Sequence, residues 1–136
     1  MFNAKVYTVS IPSSGIVREE QYIAREVIAR WNIEEWEKRG VVFLTIPNNY
    51  RGITSDIHIF AIDNYVDEQK VEAAIQTGAK VMLFFRNHHD EKNTIEYEVK
   101  KIEAFRAKVQ DKLVCVDYNN KSDFEAALAA VLSKQE

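Results

Sequence analysis

The sequence predicts a single α/β domain built on a doubly wound, mostly parallel sheet of five strands, and three observations support this fold class. First, the apolar runs Ile57 to Ile62 and Val81 to Phe85 lack polar alternation, which is typical of strands buried on both faces. Second, a helical pattern and Gly78 separate these two runs, as in a β-α-β unit. Third, a chain of 136 residues with 46% hydrophobic and 29% charged residues fits one globular domain, residues 1–136.

The first third of the chain reads as one strand followed by two helices. Lys5 to Ile11 is rich in β-branched residues and ends before a proline, as expected of a strand. Apolar residues then recur at helical spacing from about Val17 to Trp31. Asn32, with a glutamate three residues later, resembles an N-cap and predicts a short second helix that ends at Gly40.

The second strand, Val41 to Ile46, is followed by an unusually short connection. After the proline that closes it, only about eight residues, 48–55, precede the third strand. A parallel crossover with its helix usually needs about 10 to 12 residues or more. Either this connection is a single turn, or the second strand pairs differently.

The rest of the chain continues the alternation of helices and strands. The patterns predict helices over Val66 to Thr77 and Ile95 to Lys108, a fifth strand at Leu113 to Val116, and a last helix with the capping box Ser122 and Glu125. Alternating elements of this kind favour the strand order 2-1-3-4-5. In such a sheet, ligands bind at the carboxyl ends of the strands, between strands one and three.

Composition and charge disfavour several classes of protein. A net charge of -3 gives no basic field for a polyanion, so we expect no nucleic-acid binding. No run of 18 apolar residues occurs, so neither a membrane span nor a secretion signal is expected. The single cysteine, Cys115, cannot form an internal disulfide and lies in an apolar run. We therefore expect a reducing cytoplasm as the setting and a buried, inert thiol.

Polar residues that follow strands one and three are the candidate ligand-binding residues. Ser10, Ser13 and Ser14 precede a helix start, where backbone N–H groups and the helix dipole favour an anion such as phosphate. The alternative is that Ser13 or Ser14 only caps the helix. Asp63 and Asn64 end the third strand at the same edge of the predicted sheet. The alternative is that Asp63 only caps a helix or lies in a turn.

No metal site, cofactor site or serine or cysteine nucleophile is predicted. His88 and His89 have acidic neighbours but no second ligand group at a recognisable spacing, so we expect solvated loop residues. His58, inside the third strand, is expected to be a hydrogen-bonded core residue. The G-x-S-x-G motif of a serine nucleophile is absent.

Loose motifs along nearly the whole chain together resemble a bacterial TIR-like domain family. These motifs are the strand and loop from Lys5 to Ser14, the helix from Val17 to Asn32, the strand from Ser55 to Phe60, the segment from Val71 to Ala74 with the run from Gly78 to Phe85, and the helix motif from Phe124 to Leu128. The family is related to TIR domains and nucleoside deoxyribosyltransferases. The resemblance implies a nucleotide or nucleoside ligand whose N-glycosidic bond is cleaved or exchanged. It also implies a glutamate at the ribose, and Glu72 matches that position.

The sequence departs from the family at three polar positions. Lys70 replaces the family's first glutamate, Gly15 its usual aspartate and Glu20 its arginine. These departures favour a module that binds itself or a protein partner, or senses a nucleotide, with weak or no catalysis. The alternative is an enzyme of the NAD glycohydrolase or deoxyribosyltransferase type, with Glu72 as its catalytic residue. Glu72 and Glu68 share one face of the predicted helix, which could line the crevice or be solvated.

Overall fold

The protein folds as a parallel sheet with helices on both of its faces. This computed structural model describes residues 3–12, 18–46, 55–63, 67–87 and 96–135. The described elements are β1 (Lys5–Ser10), α1 (Arg18–Arg39), β2 (Val41–Ile46), β3 (Ile57–Ile62), α2 (Glu68–Gln76), β4 (Lys80–Arg86), α3 (Glu96–Val109), β5 (Val114–Tyr118) and α4 (Lys121–Ser133).

The strand order is β2-β1-β3-β4-β5, and each neighbouring pair is parallel. The predicted fold class, strand order and pairing of the first and third strands are therefore confirmed. β1 pairs with β2 along its whole length. In contrast, β1 meets β3 at only two register pairs, Val9 with Ile57 and Ser10 with His58. β3 therefore continues well past the end of β1.

The sheet separates two apolar cores because successive side chains of a strand point to opposite faces. On one face, Val9 and Phe43 from the sheet pack with Ile28 of α1 and Phe124 of α4. On the other face, residues of β3 and β4 pack with α2 and α3, among them Leu83. Both faces of β4 are buried, as its continuous apolar sequence predicts.

α1 is one continuous helix, so the predicted break at Asn32 is wrong. The Asn32 side chain does not cap a helix but bonds to the backbone of Phe43 in β2. Its Oδ1 accepts from the Phe43 N–H at 2.9 Å, and its Nδ2 donates to the Phe43 carbonyl at 2.8 Å. The helix ends before Gly40 as predicted, where a φ of 65° suits glycine.

The cap of α4 also differs from the predicted capping box of Ser122 and Glu125. The N-cap is Asn120, whose Oδ1 accepts from the backbone N–H of Asp123 at 2.9 Å. Glu125 instead forms an ion pair with Arg30 of α1. The prediction failed because Asn120, two residues before Ser122, already supplies the oxygen that the helix start requires.

The connection from β2 to β3 spans the ten residues 47–56. β2 pairs in parallel with β1, so the alternative that it pairs differently is wrong. The predicted single turn falls on residues 47–54, which lie outside the described residues. Among the helices that the structure describes, none has both the length and the apolar character of a membrane span.

Candidate functional site

A cleft of about 660 Å³ opens at the carboxyl edge of the sheet, a volume typical of small-molecule sites. Parallel strands all end at this edge, and the helices that follow them begin close to it. The ends of β3, β4 and β5 contribute Asp63, Arg86 and Tyr118. The remaining lining residues come from the starts of α1 and α4, namely Glu19, Glu20, Asn119, Asn120, Lys121 and Ser122.

Two ion pairs join the walls of the cleft. Arg86 Nη1 lies 3.1 Å from Asp63 Oδ2, and the Asp63 side chain is only 13% exposed. Lys121 pairs with Glu19 and so connects the start of α4 to the start of α1. Carboxylates therefore engage both Arg86 and Lys121, the basic side chains among the described residues of the cleft.

Glu20 is the third acidic side chain of the cleft, and it is buried at 9% exposure. Burial raises the pKa of its carboxyl group, and the negative charges of Asp63 and Glu19 raise it further. The positive charge of Arg86 opposes this shift only in part. Glu20 therefore holds a proton more readily than an ordinary glutamate, as buried carboxyl groups near other acids do.

Tyr118 also lines this cleft, and its hydroxyl oxygen is buried. The residue is 2% exposed, and within the described part of the chain its hydroxyl has no hydrogen-bond partner. Burial, followed by the charges of Glu20 and Asp63, raises the pKa of Tyr118. The group therefore remains a protonated hydroxyl that can donate a hydrogen bond to a ligand.

Glu20 should make the stability of the protein depend on pH in a definite direction. The pKa of Glu20 in the folded protein lies above the ordinary value of 4.5. At pH values between these two pKa values, the folded protein therefore binds more protons than the unfolded chain. Its contribution to stability is complete below the ordinary value and is lost as pH rises through the folded pKa. We expect Glu20→Gln to gain stability relative to wild type as pH rises from about 4 to about 7, measured by urea unfolding.

Glu103→Gln is the matched control for this measurement because Glu103 is exposed on α3. Its stability relative to wild type should stay constant over the same pH range. If the stability of Glu20→Gln relative to wild type is also independent of pH, the carboxyl group of Glu20 is not held in the environment described above.

Of the predicted ligand-binding residues, the structure brings Asp63 to this cleft. Ser10 is buried and lies beside His58, five residues before Asp63. Five residues of extended strand correspond to about 16 Å, so the register does not bring Ser10 and Asp63 together. Ser13, Ser14 and Asn64 lie outside the described residues.

Glu72, the predicted catalytic residue, is not brought to the cleft. It lies on α2, its side chain is 49% exposed, and its Oε1 lies 3.1 Å from Nζ of Lys108 on α3. Lys70 is exposed on the same helix, and Glu68 is partly exposed. The alternative of a solvated helix face, which the sequence left open, fits these positions.

Sequence reasoning did not identify Glu20, Arg86 and Tyr118 as site residues. Arg86 and Tyr118 are the last residues of their strands, but the predicted strands ended before them, at Phe85 and Val116. The signal was present, because a polar residue follows each apolar run at the same edge of the sheet. Glu20 was noted only as a departure from the family pattern.

The described histidine and cysteine do not form a further reactive site. The predicted hydrogen bond of His58 is not found among the described residues, and burial lowers the pKa of its ring. Cys115 is partly buried, and burial raises the pKa of its thiol, in line with an unreactive cysteine. No group of three potential metal ligands occurs in the described ranges, and His88 and His89 lie outside them.

Comparisons with known proteins support the fold without giving a function. No protein-family model matches the sequence, and no curated protein is similar to it. The apo form of translation elongation factor SelB from Methanococcus maripaludis is similar in structure, with a TM-score of 0.57 and 9% identity. The likeness covers 98% of this chain but only 38% of that one. A de novo designed Rossmann 2x3 fold protein gives a TM-score of 0.51 and 14% identity, over 95% of this chain and 90% of that one.

Proposed function

We propose that this protein is a TIR-like binding module whose cleft holds the ribose of a nucleoside or nucleotide. The observation that carries the proposal is the pair of buried polar side chains Glu20 and Tyr118, which line one cleft. A buried polar group without a partner costs about 1 to 3 kcal/mol. A ligand that bonds to the Tyr118 hydroxyl recovers part of this cost on binding.

The charges of the cleft favour the ribose over the phosphate end of such a ligand. Among the lining residues that the structure describes, Glu19, Glu20 and Asp63 outnumber the basic residues Arg86 and Lys121, and both of these basic residues already pair with acids. A phosphate chain would therefore add negative charge next to carboxylates. In contrast, ribose hydroxyls donate hydrogen bonds to acidic side chains, as in dinucleotide-binding folds.

Each cleft residue has a distinct part in this proposal. Glu20 and Asp63 bind the ribose hydroxyls, and Arg86 fixes the Asp63 carboxylate by its ion pair. The Tyr118 hydroxyl donates to an oxygen or nitrogen acceptor of the ligand. The resemblance to TIR-like domains supports a ligand of this class, and the surface position of Glu72 favours sensing over catalysis.

Tyr118→Phe tests the proposal because it removes only the hydroxyl group. We expect wild type to bind adenosine more tightly than AMP, and AMP more tightly than ATP, in isothermal titration calorimetry. Tyr118→Phe should weaken adenosine binding about tenfold, the effect of one lost hydrogen bond of about 1.4 kcal/mol. Tyr22→Phe, at a tyrosine that is 65% exposed on α1, should leave the affinity unchanged.

Tightest binding of ATP, or an unchanged affinity in Tyr118→Phe, would contradict this assignment.

The raised pKa of Glu20 favours one second candidate, an enzyme that hydrolyses an N-glycosidic bond with a protonated carboxyl group as its general acid. Release of free base from NAD or deoxynucleosides in the same samples, lost in Glu20→Gln, would favour this enzyme. If Glu72→Gln loses that activity and Glu20→Gln keeps it, the catalytic residue is Glu72.

A further inference from the structure

Two adjacent asparagines, Asn119 and Asn120, line the cleft between the end of β5 and the start of α4. Both bond to Asp123 in the first turn of α4. Asn119 Nδ2 donates to Asp123 Oδ2 at 3.1 Å, and the backbone N–H of Asn119 donates to the same oxygen at 3.2 Å. Asn120 Oδ1 accepts from the Asp123 N–H at 2.9 Å as the N-cap. Both amide groups therefore have a defined orientation without a ligand.

These bonds determine which amide atom of each asparagine remains available to a ligand. An ionised carboxylate only accepts hydrogen bonds, so Asn119 must turn its nitrogen towards Asp123, and its Oδ1 is left over. A backbone N–H only donates, so Asn120 must turn its oxygen towards it, and its Nδ2 is left over. Neither remaining atom has a hydrogen bond to the described residues. The two lining residues therefore offer a ligand one acceptor and one donor.

The register of the sheet places these asparagines two strands away from Asp63. Phe85 of β4 pairs with Ile62 of β3, and the next residue, Arg86, pairs with Tyr118 of β5. The ends of β3 and β5 are therefore level with each other and two strand spacings apart, about 10 Å. A nucleoside whose ribose binds at Asp63 can reach the residues after Tyr118 with its base.

We propose that Asn119 and Asn120 recognise the base of the nucleoside and select one with an amino group beside a ring nitrogen, as in adenine. Asn119 Oδ1 accepts from the amino group, and Asn120 Nδ2 donates to the ring nitrogen. A single asparagine reads adenine in DNA by the same pair of hydrogen bonds. This inference rests on the proposed ribose site and extends it to the base.

The charge of the cleft favours an amino group over a carbonyl at this position of the base. Acidic side chains outnumber basic ones among the described lining residues. They attract the partly positive hydrogens of an amino group and repel the partly negative oxygen of a carbonyl. The cleft should therefore prefer adenosine to a nucleoside whose base carries an oxygen in place of the amino group.

The first test compares adenosine with purine riboside, which lacks only the amino group. In isothermal titration calorimetry we expect wild type to bind adenosine about fivefold more tightly, the effect of one hydrogen bond between neutral groups. Asn119→Ala should bind both nucleosides alike, because the acceptor for the amino group is gone. Asn3→Ala is the matched control, because Asn3 is exposed and precedes β1 at the other edge of the sheet. It should keep the full preference.

Asn120→Asp separates recognition of the base from capping of α4. An aspartate oxygen still accepts from the Asp123 N–H, since aspartate is as good an N-cap as asparagine, but the donor to the ring nitrogen is lost. Adenosine and purine riboside both carry this nitrogen. We therefore expect Asn120→Asp to weaken the binding of both by the same factor, at least fivefold. This variant decides the test if circular dichroism shows that Asn119→Ala is unfolded.

Three outcomes would overturn the inference. They are equal binding of adenosine and purine riboside by wild type, a preference for adenosine that Asn119→Ala retains, and an unchanged affinity in Asn120→Asp. In each case, weaker adenosine binding by Tyr118→Phe would show that the proposed ribose site stands without base recognition. If wild type binds no adenosine at all, both proposals are wrong.

Discussion

Phe124→Ala is expected to lower the free energy of unfolding by about 3 to 5 kcal/mol, the range for removing a buried aromatic ring. Phe124 is fully buried at the start of α4. Its ring lies 5.2 Å from that of Phe84 in β4, edge to face, and 5.1 Å from that of Tyr118 in β5. The substitution leaves a cavity between the sheet and α4. The closely packed side chains around it cannot move far enough to fill it. Urea unfolding followed by circular dichroism measures the loss.

Tyr22→Ala is the control because it removes another aromatic ring, one that is 65% exposed on α1. A surface substitution of this kind changes stability by about 0.5 kcal/mol or less. Equal losses for the two variants would contradict the packing described for Phe124. Because Phe124 packs against Tyr118, the alanine variant should also weaken ligand binding wherever it remains folded.

Asn32→Ala is expected to cost about 2 to 4 kcal/mol of stability. The substitution removes both hydrogen bonds to the backbone of Phe43, a residue that is 1% exposed. The backbone N–H and carbonyl of Phe43, whose bonds to Asn32 are partly buried, then lack protein partners, and each costs about 1 to 2 kcal/mol. Thermal and urea unfolding measure this cost. Light scattering should also detect association, because the edge of β2 becomes free to pair with another chain.

Two further variants separate the hydrogen bonds of Asn32 from its place in the helix. Asn32→Asp keeps an oxygen to accept from the Phe43 N–H but loses the donor to the Phe43 carbonyl, so a measurable loss is again expected. Ile33→Ala, at the neighbouring exposed position, should change stability by about 0.5 kcal/mol or less. A loss for Asn32→Ala no larger than that for Ile33→Ala would mean that the edge of β2 does not need this side chain.

The sequence predicts the sheet well because the information for it is local. Apolar runs of strand length, such as the one ending at Phe85, mark strands that are buried on both faces. Glycine at position 40 marks the end of α1 through its positive φ. The continuity of α1 could not be predicted in this way. The partner of Asn32 is Phe43, and only the folded chain brings that backbone within reach of the helix.

The site was harder to predict because it depends on the relative positions of strand ends. Asp63 was found since it directly follows an apolar strand. Ser10 ends the neighbouring strand, yet the register sets it beside His58 rather than beside Asp63. The cleft instead lies at the ends of β3, β4 and β5 and at the start of α1, where Glu20 is buried. No spacing in the sequence encodes this offset between strands.

β1 and β3 pair at only two register positions. This short pairing divides the sheet into two blocks of strands, β1 with β2 and β3 with β4 and β5. Beyond two register pairs, the described contacts between the blocks include the hydrogen bonds of Thr8 with Asp56. The smaller block, β1 and β2, therefore relies on the apolar core beneath α1 and α4, which it shares with the larger block of β3, β4 and β5, to keep its position in the sheet.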